Sequence, residues 1–271
     1  TGTVILVERF REPMKGKRQT TNLQTVHKYV RTMLNPFKED LDFQVNLVGL
    51  PPKLSGWMDF NLADGIKVAS QGVFHAQLSA DAKQIEYDFT DNHPWSQTKG
   101  KRTESSWQTR DLLGGDDDIK IRGIEIWIYM LLRDKNLKRP VYDKGGQVSK
   151  DDLNDMCGFR LYRDDVRVFP YGEVSGAEGG DWLDLNREWT KRASSVYRQH
   201  QMVAAASMKG TLNPNIKDQA NRDGLHDGPE KDQLILLLQE VVKKLRKELC
   251  MDWPIKKPKE MTAPSIIYGI S

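Results

Sequence analysis

The polar stretch NIKDQANRDGLHDG, residues 215–228, gathers Lys217, Asp218, Asn221, Arg222 and Asp223 immediately ahead of Gly224. A solvated connector needs only Gly, Pro and a few polar residues, so this concentration of amide, ammonium, guanidinium and carboxylate groups asks for a reason. One reason is presentation: a short loop in front of a helix can hold out a single charged side chain, Arg222 or Lys217. The other is structural: Asp227 caps the helix that follows, and Arg222 pairs with a neighbouring carboxylate.

Other chemistries lack their residues. The five histidines (His27, His75, His93, His200, His226) never stand at metal-ligand spacing, which argues against zinc. There is no G-x-S-x-G nucleophile turn, no Gly-Lys-Ser/Thr phosphate loop and no dinucleotide-binding glycine pattern. Asp116-Asp117-Asp118 has the composition for a divalent ion, but after Gly114-Gly115 it reads as a solvated turn. Arg187, Lys191, Arg192 and Arg198 read as an ion-pairing surface before a phosphate track.

The elements that must position the loop are marked by periodicity. TGTVILVERF opens as a strand with a continuous apolar run and no initiating Met, as expected of a piece of a longer protein. LQTVHKYVRTMLNPF reads as a helix, with Val26, Tyr29, Val30, Met33 and Leu34 at helical spacing and Asn35-Pro36 ending it. DFQVNLVGL, GVFHAQLS and KQIEYDFT alternate as strands. Residues 91–118 show no period and read as a long exposed loop, after which IKIRGIEIWIYMLL resumes as a strand. GFRLYRD and VRVFPYG form a hairpin about Asp164-Asp165, GEVSGAEGGDWLDLN a flexible excursion, and QHQMVAAASM a strand leading into the loop. The helix 229–249 starts at Pro229 and carries a stripe of Leu234, Leu238, Val241, Leu245 and Leu249. Strands and helices mixed in this way indicate an α+β fold with a partly antiparallel sheet.

Composition sets the bounds. A chain of 271 residues with 38% hydrophobic and 29% charged residues can bury a sizeable core. The 41 basic residues nearly balance the 38 acidic ones, and a net charge of +3 gives no general case for nucleic-acid binding. Two cysteines, Cys157 and Cys250, suit a reducing compartment. No apolar run reaches the roughly 20 residues of a membrane helix, so the expectation is a cytoplasmic protein without a membrane partner.

GFRLYRDDVRVFPYGE, then DWLDLN, then NPNIKDQANRDGL and a leucine-rich helix resemble the second domain of the ATPase superfamily of DNA gyrase B, HtpG, histidine kinases and MutL. The likeness is nearest to bacterial and microrchidia-type members, which share a Y-R-D-x-x-R-V-x-P-Y-G-E pattern and a later N-R-[ED]-G-[LF]. It is specific over about 153–240, moderate over 1–40 and faint between. The resemblance implies a mixed sheet with packed helices, like domain 2 of ribosomal small-subunit protein five. It implies that residues 1–40 end an ATPase domain, that 41–249 form a transducer domain and that 250–271 are a tail. The carboxylate helix, the Asp-x-Gly-x-Gly segment and the lid glycines of such ATPases would lie upstream of Thr1.

In these families a transducer loop carries a Lys or Arg to the γ-phosphate of ATP. Matching NRDGL gives that role to Arg222, with Lys217 as the alternative and Asn221 and Asp223 holding the loop. A guanidinium, always charged and with a rigid fork of donors, suits phosphate oxygens. Gly2 and Thr3 match the last nucleotide-site motif. ATP and Mg2+ would bind in the full-length protein, not in this chain alone. The implied partners are the upstream ATP-binding domain, a second copy in a homodimer, and DNA or a protein. Arg163, Arg167 and Tyr171-Gly172-Glu173 are expected to be architectural. Asp165 departs from relatives with Gly at that turn position, which leaves the turn type open. The competing reading is a non-enzymatic binding module that uses basic loops 14–18 and 99–102 on nucleic acid or another subunit.

Overall fold

A strand that is apolar on both sides needs cover on both faces of its sheet. The run IEIWIYM, Ile124–Met130, has that cover. In the computed structural model, which describes residues 32–38, 62–94, 96–131, 156–173, 180–186, 201–219, 224–250 and 253, this run is a central strand. Ile124, Ile126, Ile128 and Met130 enter one apolar cluster, Trp127 and Tyr129 another on the opposite face.

Seven strands build the sheet: β1 (Gly72–Leu78), β2 (Gln84–Asp91), β3 (Arg102–Gln108), β4 (Ile124–Met130), β5 (Gly158–Arg163), β6 (Val166–Val168) and β7 (Met202–Met208). Their order is β3-β2-β1-β4-β7-β5-β6. Every neighbouring pair is antiparallel except β5 with β7, so the sheet is mixed and the fold is α+β. Three helices are described: α1 (Leu62–Ala69), α2 (Thr109–Leu112) and α3 (Pro229–Lys244), the last continued by a π-helical turn over Leu245–Leu249.

The larger core lies between the sheet and α3. Leu234, Leu237, Leu238, Val241, Val242 and Leu245 are each at most 1% exposed, and they pack on Phe74, Ile126, Ile128, Phe159 and Ala204. Each such side chain contributes about 1.5–3 kcal/mol on burial. Pro229 occupies the first turn as the sequence indicates, but the N-cap is Gly228 and Asp227 does not cap. The Asp227 carboxylate lies one residue too early and instead takes Lys231 Nζ at 2.7 Å. On the other face Ile66 and Ala69 of α1, with Phe37, cover Trp127, Tyr129, Tyr162, Val203 and Ala205.

Two expectations need correction. Residues 91–118 are not one long loop, since β3 and α2 lie within them. β3 escaped notice because RTESSWQ is an edge strand with only Trp107 buried, so it lacks an apolar alternation. The DWLDLN part of the glycine-rich excursion is packed, with Leu183 and Leu185 in the core and Trp182 Nε1 donating to Phe159 O at 2.6 Å. The expected strands TGTVILVERF and DFQVNLVGL, most of the first helix and the terminal segment lie outside the described residues.

Candidate functional site

The loop of interest begins where β7 ends. Asn213, 3% exposed, ties it to the segment just before β4. Its Oδ1 accepts from Arg122 N at 3.0 Å, and its Nδ2 donates to Arg122 O at 2.8 Å and Lys209 O at 2.9 Å. A buried Asn saturated by backbone groups fixes a path that side-chain packing alone would leave loose. Ile216 is then buried, and the chain turns outward.

From there two arms run antiparallel. His226 N donates to Lys217 O at 2.8 Å, Gln219 N donates to Gly224 O at 2.9 Å, and Asp218 bridges to Leu225 between them. The loop is therefore a small hairpin whose connection is residues 220–223. Asn221, Arg222 and Asp223 belong to that connection and lie outside the described residues, as do Gly2 and Thr3. Lys217 is described: it is exposed, stands on the first arm, and its ammonium makes no ion pair among the described residues.

The second arm is pinned from below. Leu225, 1% exposed, donates its N–H to Tyr171 Oη at 3.0 Å. Its carbonyl accepts from Gln219 Nε2 and Lys231 Nζ, each at 3.3 Å. Gly224 has φ +113°, and a Cβ there would stand 3.1 Å from Tyr171 Oη, so both backbone shape and space call for glycine. On the first arm Arg163 Nη1 reaches Asp218 Oδ1 at 3.3 Å.

Tyr171 is in turn held by its own motif. Gly172 has φ +77°, and a Cβ there would come within 2.5 Å of Phe159 O. Glu173 Oε1 lies 2.8 Å from Arg167 Nη2. The Arg167 guanidinium, buried, also donates to Thr32 Oγ1 at 2.9 Å and to Tyr171 O at 3.2 Å. The PYGE and NRDGL stretches, far apart in sequence, thus meet at Tyr171 and Leu225. Sequence reasoning gave Tyr171 an architectural part without saying what it supports; here it carries the second arm of the hairpin.

Beside the loop's root lies a charged centre that sequence reasoning missed. Asp165, 2% exposed, takes Lys38 Nζ on both oxygens at 2.9 Å, with Lys209 Nζ and Ser207 Oγ each at 3.4 Å. Burial works against the Lys38 ammonium, yet the Asp165 carboxylate outweighs it and holds Lys38 above the ordinary lysine range. The β5–β6 turn uses Asp164 at φ 49° and Asp165 at φ 65°, both left-handed as in a primed hairpin turn. The turn type left open by the sequence is therefore kept without glycine.

Among the described residues no group of three or more His, Cys, Asp or Glu could hold a metal ion. The three consecutive aspartates are engaged separately: Asp116 with Gln233 Nε2 at 3.3 Å, Asp117 with Arg110 at 3.4 Å, and Asp118 with Lys120 at 3.7 Å. In the basic loop 99–102, Arg102 is committed to Asp88 and Glu104. The loop 14–18 and the arc from Arg187 to Arg198 lie outside the described residues. No described helix is long and apolar enough to cross a membrane. No protein-family model matches the chain, and no curated protein matches its sequence.

Proposed function

We propose that this chain is the transducer part of an ATP-driven, dimerising conformational switch. In this reading the hairpin at 217–226 carries a basic side chain to the γ-phosphate of ATP bound, with Mg2+, in a domain upstream. Arg222 fills that role and Lys217 is the alternative within the same loop. The observation that supports this most is the hairpin itself: two arms fixed by Tyr171, Arg163 and Asn213, a connection that contains Arg222, and beside it an exposed Lys217 with no ion pair among the described residues. A loop that only joined a strand to a helix would not need its base held from three directions.

The chemistry follows from the charge. As a phosphoryl group transfers, negative charge spreads over its oxygens, and a pre-positioned guanidinium stabilises that state more than the ground state. Arginine contacts of this kind contribute roughly 10³ to 10⁵ in rate. Asn221 and Asp223 hold the connection in shape, and the sheet passes the loop's position on to DNA or a protein partner.

The test is ATP turnover by the protein in which this chain follows its ATP-binding domain. Arg222→Ala is expected to slow turnover by orders of magnitude while nucleotide affinity stays nearly unchanged. A rate loss in Lys217→Ala but not in Arg222→Ala moves the assignment within the loop. Full turnover in both variants rules out the phosphate contact.

A further inference from the structure

The turn residue Asp165 is an expensive choice. Glycine adopts φ 65° freely, and an aspartate there is strained, so its side chain should have a task that glycine could not perform. Its carboxylate is buried and needs donors, and here two of them are ammonium groups. They come from two remote places: Lys38 at the end of the segment 32–38, and Lys209, the first residue after β7.

Backbone contacts run the same way. Asn35 N donates to Asp165 O at 3.1 Å, and Leu34 bridges to Val166. On the other side Asp164 N donates to Met208 O at 3.0 Å, while Gly210 N donates to Asp164 Oδ1 at 2.9 Å. Lys209 O then accepts Asn213 N at 3.2 Å and Asn213 Nδ2 at 2.9 Å. A continuous chain of contacts thus leads from residue 38 through the turn to the root of the hairpin loop.

We infer that Asp165 is the positioning residue that couples segment 32–38 to the loop: its carboxylate joins Lys38 to Lys209, so the loop's root follows the upstream segment. The meaning of this coupling rests on the proposed function, because the loop's position then matters to a phosphate. The mechanical link does not depend on it. Movement of the segment that enters the sheet would be passed to the loop through one shared carboxylate.

The experiment is amide hydrogen exchange on this chain as wild type, Lys38→Ala, Asp165→Asn and Asp165→Gly, with the amides of β4 as the internal reference. Lys38→Ala is expected to speed exchange about tenfold at Asn35 and also at Gly210 and Asn213, with β4 unchanged. Asp165→Gly is expected to do the same even though it relieves the turn. Loosening confined to residues 32–38 in Lys38→Ala overturns the inference, as does full protection of Gly210 and Asn213 in Asp165→Gly. Failure here alongside a turnover loss in Arg222→Ala removes the coupling and leaves the proposed function standing. Loop loosening with no turnover loss in either loop variant does the reverse.

Discussion

Asp91 and Asp165 are both 2% exposed, yet they solve burial in opposite ways. Asp91, at the end of β2, accepts among the described residues from neutral donors: His93 N at 2.8 Å, Ser96 Oγ at 2.5 Å, Thr98 Oγ1 at 2.6 Å and Trp253 Nε1 at 3.2 Å. Most of these lie a few residues downstream, so the carboxylate closes its own loop and docks Trp253 over His93, with ring centroids 4.7 Å apart. Asp165 uses two lysines from distant segments. Neutral donors stay paired at any salt and suit a permanent closure. Partly exposed ammonium groups can be drawn off by solvent or by another anion, which suits a joint that must move.

Leu238→Ala is expected to have the largest effect. It removes a fully buried side chain between α3 and the sheet, at a cost of about 2–5 kcal/mol in denaturant unfolding. An unchanged midpoint would mean that α3 does not pack on the sheet through Leu238. Asp91→Ala is expected next, at about 3 kcal/mol, because it strands the buried Trp253 indole N–H and opens the loop that Ser96 and Thr98 close, and the loss should be the same at low and high salt. Asp165→Asn should cost less, about 1–2 kcal/mol, since Lys38 and Lys209 can turn to solvent. That loss should shrink as salt rises; equal salt dependence at both sites would erase the distinction.

The smallest effect is in pH, and the two centres should respond in different windows. Burial holds the His93 imidazole below its ordinary 6.5, with the Asp91 charge only partly offsetting it. The unfolded chain therefore binds more protons between the two values, so stability is lost as pH falls below 6.5 and levels off below the folded value. His93→Gln should flatten that slope in urea midpoints. Lys38 is shifted the other way, so its contribution is present below 10.5 and lost as pH rises through its folded value. A mildly acidic scan should thus weaken the His93 region and leave the Lys38 contact in place.

The sequence showed most of the frame because its periods match its burial. β1 and β2 alternate, β4 and β7 are apolar but for Glu125 and Ser207 because both faces are covered, and α3 carries one stripe. β3 was illegible for the same reason in reverse: an edge strand with only Trp107 buried has no alternation to read. The loop was legible by its unusual composition, but its hairpin form was not, because two backbone hydrogen bonds and a tyrosine hydroxyl define it. The Asp165 centre could not be read at all. Its contacts reach Lys38 across 127 positions and Lys209 across 44, and the local trace is an aspartate where a glycine would turn more easily.

Under the proposed function the hairpin loop meets a γ-phosphate. Hydrogen exchange at the Gln219 and His226 amides, in the protein that under the proposed function joins this chain to an ATP-binding domain, tests it most directly. Both amides close the base of the hairpin, so they report whether the loop is held. With a non-hydrolysable ATP analogue they are expected to exchange more slowly than with ADP, because only the former offers a γ-phosphate for Arg222 or Lys217. Equal exchange in the two nucleotide states would contradict the account.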